Sequence, residues 1–139
     1  MNTCLPSKTS LFELGEFKSH SGKILPWKIE CDALSESDWD CLAAMIMSLE
    51  SRPFCRVEGI PRGGIPLERA LSKYATGDPK DRIIICDDIW TTGGSFKDWI
   101  KEYYPGEPWK NNPPIKWVVF ARRMTDDGTR ALFTMGDPK

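Results

Sequence analysis

Apolar and polar positions alternate in blocks that change period along the chain. Residues 1–10 are polar, and Leu11, Phe12 and Leu14 suggest one helical turn packed on the body. Ser21-Gly22 is a turn signal, and its flanks can pair as short strands, with Pro26 forbidding a central position in any sheet. Ser35-Glu36-Ser37-Asp38 opens a helix with a capping-box-like pattern. Trp39, Leu42, Ala43, Met45, Ile46 and Leu49 then fall on one face as a core stripe, and Arg52-Pro53 ends the helix. Residues 55–58 are short and β-capable. They lead through Gly59-Ile60-Pro61-Arg62-Gly63-Gly64 into a second helix with Leu67, Ala70, Leu71 and Tyr74 inward. A polar connector, 72–81, precedes the continuous apolar run Ile83-Ile84-Ile85-Cys86, which suits a strand buried on both faces. Phe96, Trp99, Ile100 and Tyr103 recur at helical spacing. A Pro-rich loop, 104–114, separates them from a strand at 115–121, and 130–134 suits a short edge strand. Strands alternating with helices predict an α/β fold: a small parallel sheet flanked by helices on both faces, with a β-rich N-terminal hood.

Chemistry concentrates after the apolar run. Asp87 and Asp88 follow it directly, and Thr91-Thr92-Gly93-Gly94-Ser95 opens the next helix. Paired carboxylates accept hydrogen bonds from a pair of hydroxyls, such as those of a ribose. A loop of hydroxyls and small residues at a helix start offers backbone N–H groups and the positive end of the helix dipole to a phosphate. Together they suggest a ribose 5-phosphate. The plainer reading is an acidic pair that caps the helix or binds a metal, followed by an ordinary turn.

Composition adjusts this picture in a few places. The chain has 139 residues, enough for one domain, 1–139, divided into a hood at about 11–34 and a core at about 35–134. The net charge of −1 gives no basic field for nucleic acid. No apolar run is long enough to span a membrane, and the start lacks a signal-like segment. The five cysteines include no Cys-x-x-Cys pair, which argues for reduced thiols in a cytoplasm and against a disulfide framework or a zinc site.

The stretch 83–95 resembles the signature of the type I phosphoribosyltransferases, which bind phosphoribosyl pyrophosphate. The resemblance implies that Asp87 and Asp88 hold the ribose hydroxyls. Thr91, Thr92, Gly93, Gly94 and Ser95 hold the 5-phosphate, with Ile89 and Trp90 between them at the substrate. Gly59-Ile60-Pro61-Arg62-Gly63-Gly64 resembles the family's pyrophosphate loop, with Gly63 and Gly64 as backbone donors and Arg62 supplying a guanidinium. Phe17, Ser21, Gly22, Pro26 and Trp27 are similar to the N-terminal hood of the orotate enzymes. His20 stands where that group usually has a lysine, and Lys28 is among the bases that compensate. Arg122, after the strand 115–121, resembles the arginine that meets the carboxylate of the base; the alternative is a solvated strand end or an ion pair with Asp126 or Asp127.

The implied activity is phosphoribosyl transfer to a nitrogenous base, orotate-like. It implies catalytic Asp87, Asp88 and Arg62, substrate-borne magnesium without a protein metal cage, and a homodimer. One departure is informative. The orotate enzymes carry a long basic loop near 72–81 that closes over the pyrophosphate, and here only Lys73, Lys80 and Arg82 lie in or beside a short connector. The other reading is therefore a nucleotide- or phosphoribosyl pyrophosphate-binding protein of the same fold that does not turn over.

Overall fold

The computed structural model describes residues 11–18, 24–106 and 111–136. Two compact units divide the chain, 1–36 and 37–139. In the first, β1 (Phe12–Lys18) and β2 (Ile24–Ile29) form an antiparallel ladder, with Phe12 opposite Ile29 and Lys18 opposite Ile24. The helical turn expected at Leu11, Phe12 and Leu14 is instead the entry to a strand. A β-rich hood is not seen: the described strands of this unit make one two-stranded ladder.

The second unit holds α1 (Glu36–Leu49), β3 (Phe54–Gly59), α2 (Ile65–Ser72), β4 (Arg82–Trp90), α3 (Gly94–Tyr103), β5 (Ile115–Ala121) and β6 (Arg130–Thr134). The four strands form one parallel sheet in the order β3-β4-β5-β6. Buried strands need near-continuous apolar sequence. β4 and β5 supply it, with Ile83, Ile84, Ile85, Val118 and Val119 at most 3 % exposed. Phe96 of α3 packs with Ile83, Ile85 and Val118. Trp117 alternates with Val118 along β5 and so faces the other side of the sheet, where its Nε1 donates to Glu50 Oε1 at 2.8 Å, one residue beyond α1. Helical segments therefore lie against both faces.

Glu50 shows how a buried charge is accommodated. Its side chain is fully buried, and Arg52 grips it with Nε to Oε2 and Nη2 to Oε1, each at 2.9 Å. Arg130 lies 4.7 Å over the Trp117 ring beside it. Burial alone would raise the Glu50 carboxyl, but the bonds from Arg52 and Trp117 outweigh it and hold the group down at about 2. Across the sheet, Glu58 of β3 accepts from Trp99 Nε1 at 3.1 Å and from the Tyr104 hydroxyl, which ties α3 to the edge strand.

Some helical positions are more exposed than their spacing predicts. Met45, Leu49, Tyr74 and Tyr103 are solvent-facing. Leu49 and Tyr103 are the last residues of their helices, and Tyr74 lies beyond the end of α2.

The connector 72–81 folds at the amino ends of the strands. Thr76 N donates to Phe54 O at 2.8 Å and Gly77 N to Cys55 O at 3.1 Å. Thr76 Oγ1 donates to Asp81 Oδ2 at 2.6 Å, and Lys80 N to Asp78 Oδ1 at 2.9 Å.

Candidate functional site

β4 runs on through the two aspartates to Trp90, so the carboxylates lie inside the ladder and not after it: Asp87 pairs with Val118 and Trp90 with Ala121. Asp87 is buried and Asp88 half-buried. Asp88 N donates to Asp87 Oδ1 at 2.9 Å, and Ile89 N donates to Asp88 Oδ1 at 2.8 Å. Burial pushes the Asp87 carboxyl up to about 9, and the neighbouring Asp88 carboxylate adds to the effect. A ligand that brings donors or positive charge favours its ionised form.

The glycine loop closes directly on this pair. A Cβ added to Gly63 falls 2.5 Å from both carboxylate oxygens of Asp88. Gly64 N donates to Ile60 O at 2.8 Å, and Ile60 N donates to Cys86 O at 2.8 Å, which fastens the turn to β4. The amide of Gly64 is thus committed to the turn. Gly63 N–H has no acceptor among the described residues and is the one free to meet a ligand. The Pro61–Arg62 peptide is cis, and Arg62 is exposed at the tip of the turn.

On the other side, Thr91 and Thr92 are exposed and Gly93 turns the chain into α3 with φ +86°. That left-handed conformation favours glycine. Thr92 Oγ1 accepts from Gly94 N at 3.3 Å, while the N-cap Gly93 gives α3 no side-chain cap. A helix start leaves backbone donors without intrahelical partners, and the loop 91–95 leads into the start of α3. Ser95 is exposed in that turn.

Trp90 lies under the anion loop. It is 1 % exposed, packed beneath the loop. Its Nε1 donates to Asp127 Oδ2 at 3.2 Å, and that same oxygen is 2.8 Å from where a Gly93 Cβ would stand. Asp127 also accepts from Thr129 N at 3.0 Å and has Lys116 Nζ 3.8 Å away. Burial would raise its carboxyl, but the bonds from Thr129 and Trp90, with the Lys116 charge, lower it on balance. Sequence reasoning offered Asp127 only as an ion-pair partner of Arg122 and missed its place beside the anion loop. Asp127 braces the anion loop from the β5–β6 connection.

Arg122 follows β5, and its N–H donates to Trp90 O at 2.9 Å, which places it beside the strand end that carries the aspartates. The neighbouring Arg123 guanidinium stands 5.8 Å from the Trp90 ring centre. The backbone of Lys28 stands opposite that of Glu13 in the N-terminal ladder, and His20 lies outside the described residues. No group of three or more His, Cys, Asp or Glu among the described residues is placed to hold a metal ion. The carboxylates of Asp87 and Asp88 are the pair available to a cation that arrives with a ligand. No helix among the described residues is long and apolar enough to cross a membrane.

The assembly is a parallel-sheet crevice with a carboxylate pair between a glycine turn and an anion loop. That is the fold of the type I phosphoribosyltransferases, and comparison with solved structures bears this out. UMP synthase of Leishmania donovani superposes with a TM-score of 0.68 at 18 % identity; the match covers 89 % of this chain and 33 % of that one. Orotate phosphoribosyltransferase of Aeropyrum pernix gives 0.66 at 19 % identity, covering 91 % of this chain and 90 % of that one. The Francisella tularensis orotate phosphoribosyltransferase gives 0.59 at 17 % identity, covering 91 % and 82 %. The chain thus spans about a third of the Leishmania protein and nearly the whole of the Aeropyrum one. No family model matches the sequence, and no curated protein does.

Proposed function

We propose that this chain binds a 5-phosphoribosyl ligand, phosphoribosyl pyrophosphate or a nucleoside monophosphate. One observation carries the reading: the Gly63 turn stands against the Asp88 carboxylate at the end of the strand that feeds the loop 91–95. Asp87 and Asp88 take the ribose hydroxyls, and Thr91, Thr92, Gly94 and Ser95 take the phosphate. Arg62 and Gly63 N–H meet the pyrophosphate, and Arg122 orients an acidic base. A magnesium ion carried on the pyrophosphate would neutralise part of its charge beside the two aspartates. His20 and Lys28 are also assigned to the ligand, and the working form is a homodimer.

Transfer to orotate is slow or absent in this reading. Rate in such a site comes from positive charge brought to the departing pyrophosphate with water excluded. The connector that would carry it is hydrogen-bonded to Phe54 O and Cys55 O, at the far end of the strands. Each donor or charge missing from a developing anion costs about 100-fold or more. The test is release of pyrophosphate from phosphoribosyl pyrophosphate and magnesium with a panel of bases. We expect no turnover, or turnover below about 0.01 per second. A rate with orotate in the ordinary enzyme range of about 1–1000 per second refutes the binding-without-turnover reading and makes the chain a working transferase.

A further inference from the structure

The amino ends of β3 and β4 hold a second cluster of charge. Arg82 opens β4 and pairs with Phe54, which opens β3. β4 has nine residues, which puts Arg82 about 26 Å from Trp90 at the other end of the strand. Here Arg52, Pro53, Lys80, Asp81, Arg82 and Asn112 line a cleft of about 220 Å³.

Three of these residues are cations and one is an anion. Arg52 is matched from beneath by Glu50, and Asp81 accepts from Thr76 Oγ1. Arg82 is half-buried, and its Nε donates to Asn112 Oδ1 at 2.9 Å. That bond uses one of the five guanidinium N–H groups and fixes the plane of the fork. Among the described residues, neither the Nη nitrogens of Arg82 nor the ammonium of Lys80 has an acceptor. A held guanidinium with open donors suits two oxygens of one phosphate, and a lysine beside it supplies a point charge.

We propose that this cleft is a second anion site, for a compact phosphate-bearing ligand, separate from the residues assigned to ribose phosphate. Its volume is below the roughly 300 Å³ at which pockets for drug-sized molecules begin. Inorganic phosphate or a small sugar phosphate therefore fits better than a nucleotide. The connector that fails to form a lid builds this site instead.

Amide chemical shifts of the full chain, followed during titration with inorganic phosphate, test the proposal. Phosphate should move two separate groups, residues 80–82 with Asn112, and residues 91–95. Arg82→Gln should abolish the first group and leave the second in place. Lys80→Gln, at an exposed position, should weaken the first group about tenfold, the effect of one charge-assisted bond, and serves if Arg82→Gln does not fold. Ribose 5-phosphate in place of inorganic phosphate identifies the source. Tighter binding at 80–82 points to a sugar phosphate and equal binding to the free ion, and both uphold the site. Phosphate shifts confined to 91–95, or shifts at 80–82 reproduced by sodium chloride at equal ionic strength, overturn it. Loss of the 91–95 shifts alone counts against the phosphoribosyl reading and not against this one.

Discussion

Asp87→Asn should make the free protein more stable, by roughly 2–4 kcal/mol at pH 7. The Asp87 carboxyl sits at about 9 in the folded chain, against an ordinary value of 3.8, because it is buried beside Asp88. A folded-state value above the unfolded one means that the folded protein binds more protons. The contribution of Asp87 is then whole below about pH 4 and declines as pH rises toward 9. Asparagine is neutral throughout and escapes the decline. Urea melts should give nearly equal stabilities for the two proteins at pH 4 and a clear advantage for the variant at pH 8. Equal curves at pH 8 would mean that Asp87 is an ordinary ionised carboxylate. The same substitution removes a hydroxyl acceptor, so stability and ligand affinity should move in opposite directions. Such opposition marks a group kept for binding at some expense to the fold.

The two glycines of the turn should separate fold from site. A Cβ on Gly64 falls 2.6 Å from Cys86 O and Ile60 N, and 2.8 Å from Ile60 O. These are backbone atoms of β4 and of the turn, and they cannot step aside singly. Gly64→Ala should cost about 2–4 kcal/mol. A Cβ on Gly63 meets the Asp88 carboxyl group, its two oxygens at 2.5 Å and its Cγ at 2.6 Å. The Asp88 side chain can swing aside as a whole, so Gly63→Ala should cost the fold about 1 kcal/mol or less. It should nevertheless weaken a phosphoribosyl ligand about 10- to 100-fold, the value of a hydrogen bond to a charged group. Urea melts and calorimetric titration of the two variants read this directly. Unchanged affinity in Gly63→Ala would place the ligand elsewhere.

Local chemistry made much of this legible before any coordinates. The strand at 115–121 was readable from its apolar run and coincides with β5. The helix opening at Glu36 and the hydroxyl-rich loop before α3 were also readable, because caps and turns depend on neighbours in sequence. β4 was read too short, since charge looks like a strand end. In the fold, Asp87 keeps its place opposite Val118 and takes the cost as a raised proton affinity. Trp90 stands inside the signature, and nothing in its sequence neighbours tells that it is buried. Its burial is a tertiary fact, set by α3 above it and Asp127 beside it. The shortness of the connector 72–81 was visible, but its path was not. Arg82 opens the strand that carries the aspartates and so stands at its other end, and the bonds from Thr76 and Gly77 to β3 hold the connector there.

Titration of the isotope-labelled full chain with phosphoribosyl pyrophosphate and magnesium, read at the backbone amides, tests the central claim most directly. Saturable shifts at 62–64 and 87–95 are expected, and Asp88→Asn should weaken them by about 1–3 kcal/mol, close to 10- to 100-fold. Shifts absent from both segments at millimolar ligand, or unchanged in affinity in Asp88→Asn, would contradict it.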